Sequence, residues 1–284
     1  MKRKTFLRFR DLVHEHSGIW LRDGKEALVC ARVGKRLRAL GLGSYEDYLD
    51  LVASDESGRE LSELLNAIST NVTRFFREEK HFRFLREQLE SWLREGQRQF
   101  RFWCAACATG EEPYSLAIAL LESTRLCDVD LRILATDISA SALRESMIGL
   151  YSESKMEHVP SQWRSRYFNR ERSGDGTVLY RVKDRLKETV VFRRLNLSQP
   201  PFPVKGPLDA VLCRNVMMYF DQPVRQRLLT ELFRVVRWDG YLLVGHAESL
   251  AGTNSDFRTV CPSIYVKPGS ANAVTRRRLA VSAA

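Results

Sequence analysis

Phe102-Trp103-Cys104-Ala105-Ala106-Cys107-Ala108-Thr109-Gly110-Glu111-Glu112-Pro113 is the stretch that decides the fold. Apolar residues run into small ones and a glycine, and a proline then marks the first turn of a helix. Strand, small-residue loop and helix in that order open a nucleotide-binding α/β unit. Small side chains let a ligand approach the backbone closely. The loop is no dinucleotide fingerprint, because G-x-G-x-x-G is absent. Two acidic residues at the helix start would repel a pyrophosphate, which otherwise sits at such a terminus. A ligand with positive charge and no phosphate suits the loop better.

On either side of this stretch the pattern divides the chain. Downstream, short apolar runs alternate with helical stretches. Strands are predicted at 100–104, 131–136, 189–195, 208–213, 241–245 and 264–267, and helices at 113–123, 139–147 and 223–236. Alternation of this kind predicts an α/β domain with a mostly parallel sheet. The second strand ends in Asp137, 27 residues after Gly110. An acidic residue there can accept both ribose hydroxyls, as in nucleotide-binding folds that use a spacing of about 20. Cationic, phosphate-free and ribose-bearing describes S-adenosylmethionine. The alternative is an aspartate that N-caps the next helix. Residues 150–188 break the alternation, with Ser173-Gly174-Asp175-Gly176 ahead of Val178-Leu179-Tyr180-Arg181-Val182, and read as a small antiparallel insert. Trp238-Asp239-Gly240 reads as a turn into a buried strand.

Upstream, the first seventy residues read as helices. Val29, Val33, Leu37 and Leu40 recur at helical spacing, Gly41-Leu42-Gly43 is a stop and turn, and Ser44 caps the next run. Arg32, Lys35 and Arg36 fall within an arc of about 100° beside the apolar stripe. That arc is either a solvated face or a docking face for an acidic helix.

Composition narrows the class. Of 284 residues 44% are hydrophobic and 28% charged, enough for a large core in a soluble protein. No apolar run approaches the roughly 18 residues of a membrane span, and the basic start lacks the apolar stretch of a secretory signal. Six scattered cysteines fit a reducing compartment. The expectation is a cytoplasmic protein. Its net charge is +10, and 35 of its 45 basic residues are arginine. This favours an acidic partner, whether nucleic acid, anionic membrane or carboxylate-rich protein, unless the arginine excess reflects genomic base composition.

Three motifs are decoys. Cys104 and Cys107 form C-x-x-C without the second pair a zinc site needs, and read as small hydrophobes lining the loop. His246-Ala247-Glu248 has the H-x-E of zinc deaminases without the following P-C-x-x-C, and reads as a capped strand end. Gln199-Pro200-Pro201-Phe202 resembles the tetrad of amino-methylating nucleic-acid enzymes but precedes the fourth strand instead of following it.

Four blocks together resemble the chemotaxis receptor methyltransferases (CheR type). They are Asn71-Val72-Thr73-Arg74-Phe75-Phe76-Arg77-Glu78, the Ala108–Ser115 loop, Ala135-Thr136-Asp137-Ile138, and Cys213-Arg214-Asn215-Val216-Met217-Met218-Tyr219-Phe220. A G-H-x-E stretch follows at Gly245–Glu248, and the likeness runs from about Ser17 to Val266. Ala106 stands where many members have glycine. The resemblance implies an all-α N-terminal domain at 1–70 and an α/β, Rossmann-like S-adenosylmethionine-dependent methyltransferase domain at 71–284. The second carries the antiparallel β insert at 150–188; the tail at 268–284, with Arg276-Arg277-Arg278, reads as disordered from its own residues.

It further implies that Asn71, Thr73, Arg77, Glu111, Asp137, Asn196, Leu197, Arg214 and Asn215 contact the cofactor. Arg77 and Tyr219 would lie closest to the transferred methyl. The implied reaction makes glutamate methyl esters on chemoreceptors and S-adenosylhomocysteine, with no metal. The implied partners are the cytoplasmic helices of methyl-accepting chemoreceptors. The placement of charge offers Arg32, Lys35 and Arg36 as their docking face, and Arg164, Arg166, Arg170, Arg181 and Arg185 of the insert are either a grip for a receptor C-terminal tail peptide, as in some members, or a solvated face. Neither nucleic acid nor membrane insertion is expected.

Overall fold

A computed structural model describes residues 1–124 and 127–269. Four helices come first: α1 (Arg3–Ser17), α2 (Glu26–Leu40), α3 (Tyr45–Ser54) and α4 (Arg59–Ile68). Their apolar stripes meet in a core around Phe6, Phe9, Val33, Tyr48 and Leu64, all fully buried. Gly41 ends α2 in the left-handed region, and the Ser44 hydroxyl caps α3 by accepting from the Asp47 N–H. A fifth helix, α5 (Lys80–Arg94), is absent from the predicted elements. Its buried Phe82, Leu85, Leu89 and Trp92 do recur at helical spacing.

The second part alternates as predicted. β1 (Gln99–Cys104), α6 (Glu111–Ser123), β2 (Asp130–Asp137) and α7 (Ala140–Ile148) lead into the insert. The insert comprises β3 (Leu150–Ser152), a 3-10 turn at Glu153–Met156, α8 (Ser161–Tyr167), β4 (Phe168–Arg172), β5 (Val178–Val182) and α9 (Asp184–Lys187). Then come β6 (Val190–Arg194), β7 (Leu208–Cys213), a 3-10 turn at Met217–Tyr219, α10 (Gln222–Val235), β8 (Val236–Val244), β9 (Arg258–Cys261) and β10 (Ile264–Val266).

Among the described residues the main sheet runs β6-β2-β1-β7-β8-β10-β9, and the insert forms its own antiparallel sheet, β3-β5-β4. Strands β6 to β8 are parallel, whereas β10 and β9 run antiparallel at one edge. Both faces are covered, so β7 is buried at every position. Alternate residues of β1 feed different cores. Phe100, Phe102 and Cys104 pack with α5 and α6, and Trp103 packs with Val211, Cys213 and α10.

Two features differ from the sequence reading. Trp238-Asp239-Gly240 lies inside β8, because α10 passes directly into the strand; Asp239 has φ +59°, and the pairing with β7 shifts register nearby. β9 was not expected, since all four of its residues are exposed and offer no alternation to read. The tail expected at 268–284 falls, from Ser270 onward, outside the described residues. No helix among the described residues is long and apolar enough to cross a membrane.

The chain leaves β1 for β2 and β6, then returns to β7 on the opposite side of β1. Such a switch point opens a crevice at the carboxyl ends of the strands. That is where the site forms.

Candidate functional site

A cleft of about 960 Å³, counting its open mouth, occupies this crevice. Its floor is the loop after β1. Cys107 N–H donates to the Thr136 carbonyl at 2.9 Å, and Ala105 N–H to the Leu212 carbonyl at 2.9 Å. The loop is thus sewn to the strands on both sides of β1. Ala105, Ala106 and Ala108 line the cleft, so the small side chains do leave backbone open to a ligand. Ala108 is held at φ +46°, a region that non-glycine residues visit rarely. Gly110, at φ +94°, has no such freedom to vary, because a Cβ there would lie 2.8 Å from the Tyr151 hydroxyl.

Asp137 closes the end of β2. One carboxylate oxygen accepts from Ala108 N–H at 2.8 Å and the other from Ser139 N–H at 2.9 Å. Burial pushes its pKa up, and these backbone donors oppose the shift. The helix-capping role belongs to Ser139, whose hydroxyl accepts from Ala142 N–H. Asp137 therefore lines the cleft with lone pairs to spare.

Asn71, Thr73 and Arg77 line the cleft from the segment after α4, Asn196 and Leu197 from the segment after β6, and Arg214, Asn215 and Tyr219 from that after β7. Of the residues expected to touch cofactor, Glu111 alone is absent from this lining. Glu112 takes its place. Successive helical residues are about 100° apart, so only one of the pair can face the cleft. The fully buried Glu111 turns away, accepting from Lys155 Nζ at 2.6 Å and the Thr109 hydroxyl at 2.7 Å. Glu112 turns inward to Arg214, with 3.3 Å between Oε2 and Nη1, while its Oε1 is buried without a hydrogen-bond partner. Burial raises the Glu112 pKa to about 7, against the pull of Arg214.

Cys104 and Cys107 are buried in the core and do not line the cleft, so they pack behind the loop, and burial pushes both thiols up. Glu248 is the cap of a strand end: its carboxylate accepts from the N–H groups of Gly245, Asn215 and Met218.

Residues 71–266 match the SAM-binding domain of the CheR methyltransferases, and residues 4–69 match the all-alpha domain of the same family. The chain belongs to the CheR methyltransferase family. Chemotaxis protein methyltransferase 2 of Pseudomonas aeruginosa is 36% identical over 263 residues, which cover 93% of this chain and 92% of that relative. The chemotaxis protein methyltransferase of Borreliella burgdorferi is 35% identical over 264 residues, 90% of this chain and 91% of the relative. That of Escherichia coli is 35% identical over 260 residues, 92% and 89% respectively. This is an S-adenosylmethionine-dependent methyltransferase of chemotaxis, and the acidic, phosphate-averse loop fits its cationic cofactor.

In this CheR methyltransferase the buried Arg214 organises one wall. It contacts Glu78 at 3.2 Å and Glu112 at 3.3 Å, donates to the Arg77 carbonyl, and lies over the Phe82 ring. Asn196 ties the wall to the N-terminal domain by donating to the His16 carbonyl at 2.8 Å. Ser17 and Ile19 also line the cleft, and Trp20 N–H donates to the Tyr219 carbonyl at 2.7 Å. Glu78, His81 and His246 bring potential metal ligands within 4.8 Å of one another. Arg214 already answers the Glu78 carboxylate, so a cation there would meet a guanidinium.

The arc on α2 is only partly a free cationic face. Arg32 donates to the carbonyls of Ala67, Ile68 and Ser69, capping the end of α4 just before Asn71. Arg36 forks onto Glu60 with two 2.6 Å bonds. Lys35 is exposed. Glu78 and Glu112 lie within the quoted motifs, which give neither a role. The signal that could have found them is acidic residues inside the motifs of an otherwise basic chain.

Proposed function

We propose that the enzyme transfers the methyl group of S-adenosylmethionine to the γ-carboxylate of glutamates on the cytoplasmic helices of methyl-accepting chemoreceptors, working in the cytoplasm. The observation that carries this reading is the order of charge in the cleft. Asp137 and Glu112 are acidic where a cationic cofactor would lie, and Arg77 and Tyr219 line the same cleft.

In this reading Asn71, Thr73, Asp137, Asn196, Leu197, Arg214 and Asn215 hold the cofactor, and Glu112 does what Glu111 was expected to do. A glutamate titrates near pH 4.3, so the nucleophile is already ionised and needs no general base. Bound there, S-adenosylmethionine would supply an electrophilic methyl carbon, the carboxylate oxygen bonding to it as the sulfur leaves with the bonding pair. Both charges vanish, so desolvation favours the step. Arg77 orients the incoming carboxylate as a planar fork, and Tyr219 donates a hydrogen bond to it. Holding the oxygen in line with the methyl supplies roughly 7–11 kcal/mol.

The receptor docks along the α2 face through Lys35, with Arg32 and Arg36 beside it. A receptor tail peptide binds the insert. There Arg170 and Arg185 are exposed, whereas Arg166 pairs with Glu122 and Arg181 with Glu171.

Incubation with methyl-labelled cofactor and either chemoreceptor membranes or RNA tests the assignment. Base-labile label released as methanol from receptor is expected. Base-stable label on RNA would replace this reading with a nucleic-acid methyltransferase. Asp137→Ala should weaken cofactor binding by calorimetry, and unchanged affinity would reject its ribose role.

A further inference from the structure

The loop that forms the cleft floor is held from behind by the insert. Glu111, the first residue of α6, is fully buried, and its carboxylate meets the Lys155 ammonium at 2.6 Å. Lys155 belongs to the 3-10 turn of the insert and also reaches the Thr109 hydroxyl at 3.3 Å. From β3, the buried Tyr151 hydroxyl donates to the Thr109 carbonyl at 2.8 Å. Ser146, just ahead of the insert, donates to the Ala108 carbonyl at 3.0 Å. On its other side the same turn presents Ala108 to the cleft and gives its N–H to Asp137. Two insert side chains and one from α7 therefore fix a three-residue turn whose Ala108 sits at an uncommon φ.

We propose that Lys155 and Tyr151 are positioning residues for cofactor binding, acting through Thr109 and Glu111 on the turn that seats the nucleoside. Neither lines the cleft, so neither touches the cofactor. The reason is electrostatic and geometric. Without Lys155, the buried Glu111 carboxylate has no cation in contact and must draw in water, which pulls the start of α6 and the turn before it. Without the Tyr151 hydroxyl, the Thr109 carbonyl loses its donor and the turn loses its stop. The insert is thereby part of the cofactor site as well as an outward-facing module. This inference rests on the reading that Asp137 and the Ala108 turn face the nucleoside.

The test is calorimetric titration of S-adenosylhomocysteine into Lys155→Met, Tyr151→Phe, Lys155→Arg and Asp137→Asn, each below its melting temperature, with kcat and KM for cofactor measured alongside. Expected is a Kd about tenfold higher for Lys155→Met, or about 1.4 kcal/mol. Tyr151→Phe should raise it about threefold, and Lys155→Arg should return it to within twofold of the parent. The loss should appear in KM for cofactor, with kcat at saturation changed less than twofold. A purely structural role would lower the melting temperature and leave Kd alone. If Lys155→Met and Tyr151→Phe both bind within twofold of the parent while Asp137→Asn loses affinity, the positioning role is wrong. If Asp137→Asn also binds normally, the reading of the cleft beneath it is wrong.

Discussion

Cofactor affinity should rise with pH through neutrality, and Glu112 should be the cause. Its side chain is 12% exposed, and its pKa of about 7 in the unliganded cleft stands well above the ordinary value of 4.5. A cationic ligand in the cleft beside Glu112 favours the carboxylate and must expel the proton first. With a pKa near 7, about one molecule in ten carries the carboxylate at pH 6 and about nine in ten at pH 8. Kd for the cofactor should therefore be about tenfold weaker at pH 6 than at pH 8, roughly 1.4 kcal/mol. Glu112→Gln keeps the shape and removes the titration. It should bind more weakly at pH 8, by about 1.5–3 kcal/mol for a lost charge-assisted bond. Its Kd should also be nearly flat with pH. Calorimetric titration with S-adenosylmethionine, which carries the sulfonium charge, at pH 6, 7 and 8 reads both, and any slope from the ligand's own groups remains in the variant. A parent Kd constant within twofold from pH 6 to 8, or equal slopes in the two proteins, would refute the argument. The no-base mechanism confines this effect to binding: kcat at saturating cofactor should stay flat from about pH 6 to 8.

Arg36→Ala should cost about 2–4 kcal/mol in urea unfolding, because it strands the mostly buried Glu60 carboxylate that also accepts from Tyr48. Lys35→Glu leaves that pair intact and should raise KM for receptor several-fold with cofactor Kd unchanged, as measured by receptor methylation and calorimetry. His81 is held neutral, since burial pushes its pKa down from 6.5 to about 3. A depressed histidine pKa means stability is present above 6.5 and lost as pH falls toward 3, about 2 kcal/mol between pH 7 and 5. His81→Gln should lack that component of the urea-measured slope.

By itself the chain determined its architecture, because the signals are local. Alternating apolar runs place β1, β2, β6 and β7 within a residue or two, Ser44 and Gly41 mark helix ends, and the small residues after β1 mark a loop that accepts a ligand. Most of the cleft was legible for the same reason: a parallel sheet brings the segments after its strands to one edge, so motifs following β1, β2, β6 and β7 converge. Tertiary structure decided matters of direction and pairing. Adjacent glutamates in the same motif face opposite ways, Glu111 toward Lys155 and Glu112 toward Arg214, and nothing in their order separates them. A helical arc of Arg32, Lys35 and Arg36 reads as open charge until α4 supplies its C-terminal carbonyls and Glu60. The exposed β9 carries no hydrophobic alternation, and Trp238-Asp239-Gly240 has turn chemistry but falls inside β8 where the β7 ladder skips from Val236 to Tyr241, Asp239 N–H donating to the Lys267 carbonyl and Lys267 N–H to that of Gly240. Local propensity sets which elements form; which way a buried charge points is settled by the partner that neutralises it, and that partner lies elsewhere in the chain.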